Sequence, residues 1–151
     1  MCNFYSLAVV FATAMLLGCA SPTPTPQAAT VHLVLPGVGT NVGRLATADL
    51  IERSGHTDVV SEVYGVPAWV TLPVHIYTYV YQGSCARLGP VAYSATDRVL
   101  TFANTARSVF TVRNSIPANL QQLRSQPFAL VLKSSPADAD ALLFCGELPS
   151  S

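Results

Sequence analysis

The stretch that decides the fold is PVHIYTYVYQGSC, residues 73 to 85. Residues two apart share one face of a β-strand. Val74, Ile76, Thr78 and Val80 therefore form one row, and His75, Tyr77, Tyr79 and Tyr81 form the other. The first row reads as a core face. The second has two readings. Tyrosine offers flat, amphipathic contact area, so His75, Tyr77, Tyr79 and Tyr81 are a candidate binding face. Tyrosine also favours strands, so the row equally fits the ordinary outer dressing of a sheet. The dressed face is the expectation.

The flanking segments carry the same β character. VHLVL (31–35) stops at Pro36-Gly37, and RLATADLIER (44–53) alternates imperfectly. DVVSEVYG (58–65) suits a pleated surface. WVTLPVHIYTYVY (69–81) reads as the strongest β-segment, with Pro73 breaking or bulging it. GPVAYSA and RVLTFA follow. In SVFTVRNSI (108–116), Phe110, Val112, Asn114 and Ile116 oppose Thr111, Arg113 and Ser115. FALVLKS (128–134) and ALLFCG (141–146) end the series. Between them, PANLQQLRS predicts one or two helical turns over 117–125, with Leu120 and Leu123 three apart and Pro117 suited to a helix start. Short strands punctuated by Gly, Pro and Asn define an all-β sandwich or barrel.

The apolar run at the N-terminus belongs to something else. LAVVFATAMLL (7–17) is an apolar run of signal-peptide size, too short for a comfortable membrane span. It leads into LLGC (16–19) and then SPTPTP. LLGC resembles the lipobox of bacterial lipoproteins, which implies cleavage before Cys19 and lipid on that cysteine. MCNFYS departs from the usual signal pattern in carrying no Lys or Arg. The resemblance implies a chain anchored by lipid, since more than one acyl chain gives stable attachment. Ala20 and Ser21, without Asp, imply the outer membrane. ASPTPTPQAAT (20–30) reads as a semi-rigid tether. The expected organisation is a signal peptide (1–18), a lipidated cysteine and tether (19–30) and one β-domain (31–149).

Cys2 leaves with the signal and Cys19 takes the lipid. Cys85 and Cys145 remain in an oxidising compartment. They are expected to pair, against the alternative of two buried free thiols. A bridge across about 60 residues constrains the unfolded chain by roughly 4 kcal/mol in the loop-entropy model.

Composition narrows the function classes. Of 151 residues, half are hydrophobic and 11% charged, with eight basic and eight acidic. No basic excess points to nucleic acid. The three histidines, His32, His56 and His75, lie far apart in sequence, with no HExxH or Cys-x-x-Cys. SSPADADAL lacks the ligand spacing of a calcium loop. No GxSxG or SxxK marks a nucleophile, and PGVGTNVG is no phosphate loop. No catalytic residue, metal ligand or cofactor is assigned.

HIYTYVYQGSCARLGPVAYSA (75–95) and ALLFCGELP (141–149) together resemble the copper/zinc superoxide dismutase-like sandwiches, and more closely their chordin-type bacterial relatives. The likeness spans about residues 40–149. It rests on Gly83-Ser84-Cys85 and on Cys145-Gly146 near the end. It implies a Greek-key β-sandwich of about seven or eight strands, immunoglobulin- or dismutase-like. It also implies a disulfide from Cys85 to Cys145, tying a loop to the last strand. Tyr79 and Tyr81 stand where the dismutase has its His-x-His ligands, and a phenol is a poor substitute for imidazole at neutral pH. The resemblance thus implies the scaffold without the activity. The expected function is a non-catalytic outer-membrane lipoprotein that binds an envelope protein or ligand or plays a structural role. The alternatives are a divergent copper/zinc protein drawing on His32, His56 and His75, and a small-ligand-binding envelope protein.

Overall fold

Along 74–81 the two rows separate as the alternation requires. Val74, Ile76, Thr78 and Val80 are buried, and His75, Tyr77, Tyr79 and Tyr81 are half-buried. The structure is a computed structural model, described for residues 28–104 and 109–150. The expected signal peptide, Cys19 and most of the tether lie outside the described residues.

Two antiparallel sheets face each other. One has the order β1 (Thr30–Pro36), β2 (Leu45–Arg53), β3 (His56–Tyr64), β7 (Val109–Ile116), β6 (Phe102–Asn104). The other has the order β5 (Arg87–Ala95), β4 (Tyr77–Ser84), β8 (Phe128–Lys133), β9 (Leu142–Glu147). Eight longer strands thus make two four-stranded layers, and the three-residue β6 extends one edge. The chain crosses between layers after β3, β5 and β7, so β7 returns beside β3 and β8 beside β4. These non-sequential neighbours interlock the layers, as the sandwich expectation requires.

One expected strand is shorter than read. β4 begins at Tyr77, and residues 69–76 are irregular apart from an isolated pairing of His75 with Leu100. Pro67 and Pro73 supply no N–H for a ladder, which outweighs the β-propensity of Trp69, Val70 and Thr71. The helical expectation holds as α1 (Leu120–Leu123), which buries both leucines. Its start is set by Asn119, whose side chain accepts from the Gln122 N–H while Gln122 Oε1 accepts from the Asn119 N–H. Glu52 Oε2 accepts the next orphan N–H, that of Leu120, at 2.6 Å. Pro117 stands before this cap rather than inside the first turn.

The main core fills the space between the layers, with Leu35, Leu50, Ile76, Leu130 and Phe144 fully buried. Each such side chain contributes about 1.5–3 kcal/mol on transfer from water. Both flanks are stitched. On one, the Val38 N–H donates to Leu143 O at 3.0 Å and Gly37 pairs with Phe144. On the other, the Ile76 N–H donates to Val99 O at 2.9 Å. The open edge strand, β5, carries Gly89-Pro90, and its pairing with β4 shifts register twice. Both features discourage edge-to-edge pairing.

A polar set spans the interior. Asn114 Nδ2 donates to Thr78 Oγ1 at 2.9 Å across the two layers. Its Oδ1 accepts the Arg98 N–H at 3.2 Å. Ser61, buried on β3, has a hydroxyl with no partner among the described residues. An unsatisfied buried hydroxyl costs about 1–3 kcal/mol. Ser61→Ala is therefore expected to stabilise the fold by about 1 kcal/mol in denaturant unfolding, whereas a loss of that size would show that the hydroxyl is satisfied.

Candidate functional site

The tyrosine row lies on the outer face of the β5-β4-β8-β9 sheet, and its neighbours explain its burial. Across β4 and β8, Tyr77 faces Lys133, Tyr79 faces Val131 and Tyr81 faces Ala129. Across β8 and β9, Val131 faces Cys145. Ala129, Val131 and Cys145 form a second small apolar cluster, separate from the main core. Tyr81, Cys85, Leu88, Val38 and Leu142 pack over it. β8 is consequently buried on both faces, which is why FALVL reads as a continuous apolar run rather than an alternating one.

The disulfide is part of this roof. Cys85 and Cys145 are bonded, with Cα atoms 5.8 Å apart and 60 residues between them in sequence. Cys85 follows β4 in the tight turn to β5, and Cys145 lies on the last strand. Gly83 takes a left-handed φ of 93°, and an added Cβ would press on Arg87 O. That conformation admits glycine at little cost. Gly146 sits where β1 crosses, and a Cβ there would lie 2.9 Å from Val34 O. Both glycines of the two short motifs thus have steric reasons to be glycine. The Glu147 carboxylate accepts the Cys85 N–H at 3.1 Å, which fixes the turn against β9.

The tyrosines also contact one another. Tyr79 and Tyr81 meet edge to face, with centroids 6.2 Å apart. Lys133 Nζ lies 5.7 Å from the Tyr79 centroid, within cation–π range. Burial raises the Tyr79 phenol above its ordinary value, and the Asp140 carboxylate and the neighbouring tyrosines push the same way. Tyr79 is therefore a neutral phenol at physiological pH. It can donate a hydrogen bond and stack, and it is a weak ligand for copper or zinc.

The histidines do not meet. His32, on β1, bonds Asp49 directly opposite on β2 at 2.7 Å. His56, on β3, sits 3.4 Å from Asp58, which also accepts from Arg53 Nε at 2.8 Å. From the register, His32 and His56 are two strands and four residues apart, about 16 Å at ordinary sheet spacing. His75 belongs to the chain entering the other sheet. Among the described residues no group of three His, Cys, Asp or Glu side chains is gathered to hold a metal. Asp138, in the SSPADADAL loop, accepts instead from the Thr71 N–H and hydroxyl and from the Ser135 hydroxyl. Those bonds hold its carboxyl below the usual range and staple loop 65–76 to the β8–β9 connection.

A feature the sequence did not disclose is a cleft of about 410 Å³ on the outer face of the other sheet. Arg53, Asp58, Arg98 and Arg113 border it. They come from three strands and a crossover loop, so no contiguous motif exists to find. Its only trace in the sequence was the outward placing of Arg113 opposite Asn114.

Comparison with known protein families, with characterised proteins and with solved structures found no match to this chain.

The titration of Tyr79 is checkable. A raised folded pKa leaves its contribution to stability intact below the unfolded value near 10 and removes it as pH rises through the folded value. Ultraviolet titration of the phenolates is expected to show a late ionisation step, and Tyr79→Phe to abolish that step. Persistence of the step in Tyr79→Phe would assign it to another residue.

Proposed function

We propose that the protein is a non-catalytic lipoprotein of a bacterial outer membrane, anchored through Cys19 and presenting a dismutase-like or chordin-type sandwich to other envelope components. The observation that carries this reading is where the domain begins. Thr30 is already paired with Ile51, and the Glu52 N–H donates to Ala29 O at 2.8 Å. In sequence, only the Pro-rich stretch 20–29 separates the lipobox-like cysteine from the first strand. Fully extended, residues 20–29 span up to roughly 31 Å, at about 3.1 Å per residue for a polyproline-like chain.

On this reading the domain has an orientation. The tether joins at the end holding the β2–β3 turn, Cys85 and α1, and this end faces the bilayer. Val42, Trp69 and Leu72, exposed by 74%, 46% and 80%, belong to loops at the other end and point away from it. Contacts with envelope partners fall to these loops and to the tyrosine face with its Lys133.

The family reading is supported by the bridge, which ties a loop after β4 to the last strand as the resemblance implies. The non-catalytic reading is supported by donor chemistry. At the positions of the expected His-x-His pair stand a neutral Tyr79 and Tyr81, whose ring helps roof the Ala129 cluster.

Expressed in a bacterium, the full chain is expected to incorporate labelled fatty acid and to yield a mature N-terminus at lipid-modified Cys19 by mass spectrometry. Cys19→Ala should lose the label. A mature chain that starts elsewhere without lipid would overturn the anchoring. Stoichiometric copper or zinc with superoxide dismutation that depends on the histidines would replace the non-catalytic reading with the divergent enzyme.

A further inference from the structure

The charges around the 410 Å³ cleft fall into two groups. Asp58 is already compensated, by Arg53 and by His56. Arg53 draws its carboxyl below the usual range. Arg98 and Arg113 are different. Among the described residues, neither guanidinium makes a hydrogen bond or ion pair, and Asp97 is the one further acid on the cleft wall. Two free cations against one carboxylate leave a local positive excess.

The position of these cations is built into the fold. Arg113 and Asn114 are adjacent on β7 and point to opposite sides of the sheet. Asn114 is buried, bonded across the layers to Thr78, and takes the Arg98 N–H on its Oδ1. The same strand that sends Arg113 outward thus pins the crossover loop carrying Arg98 to the cleft edge. On the other side of Arg113 from the Arg98 loop, toward β3 and β2, the floor is apolar, made by half-buried Val60 and Ile51. The volume lies at the small end of ligand pockets, which run from about 300 to 1,000 Å³.

We propose that this cleft binds a small organic anion, with its carboxylate or phosphate between Arg98 and Arg113 and its apolar body on Ile51 and Val60. The planar guanidinium fork matches both anionic groups in a bidentate manner. The proposal stands whether or not Cys19 carries lipid.

The test is calorimetric titration of the full-length protein in non-ionic detergent with benzoate, with phenyl phosphate and with uncharged benzamide. Saturable binding is expected for at least one anion and none for benzamide, and the preferred anion identifies carboxylate or phosphate as the recognised group. Arg98→Gln and Arg113→Gln should each weaken binding at least tenfold with unchanged melting temperatures, because both side chains are exposed. Arg87→Gln, at the distant β4–β5 turn, should bind as the parent does. No saturable binding of either anion would overturn the proposal. So would equal weakening in Arg87→Gln, which would show general charge attraction, or full binding by the Arg98→Gln, Arg113→Gln double variant.

Discussion

The structure depends on one strand being dry on both sides. β8 lies second from the edge of its sheet, and its inner residues Phe128, Leu130 and Leu132 belong to the main core. Its outer residues Ala129 and Val131 would face water in an ordinary two-layer sandwich. They are covered instead by Tyr81, Leu88 and the Cys85–Cys145 bridge. This thin third layer links the β4–β5 turn to the last strand, and the β1–β2 connection joins it through Val38. The packing is contiguous across strands far apart in sequence, which lets a small domain keep a central strand free of solvent.

That constraint changes the meaning of the tyrosine row. Tyr81 acts chiefly as cover, Tyr79 is held neutral by burial, and Lys133 and Asp140 frame the remaining surface. A phenol in such a setting offers stacking and a single hydrogen bond. It does not offer the imidazole nitrogen that copper or zinc prefers.

Much of the architecture was legible because burial follows local period. The rows 74–80 and 110–116 separate as read, and Asn114 takes its inward place among Val112 and Ile116. Cys85 and Cys145 pair. At 69–76 the break expected at Pro73 takes in the whole segment, and the ladder starts only at Tyr77. The surface cleft was invisible for a different reason. Ile51, Val60, Arg98 and Arg113 meet only after β2, β3 and β7 have paired and Asn114 has captured the crossover loop. Register is a non-local property, so sites built from it leave no motif.

The most direct test of the central claim, that a bridged outer layer keeps β8 dry, is unfolding and amide exchange in the Cys85→Ala, Cys145→Ala double variant. The account predicts a loss of about 2–5 kcal/mol, with the amides of Ala129 and Val131 losing protection before those of Val59 and Val63 on the other sheet. An unchanged melting temperature, with β8 as protected as before, would contradict it.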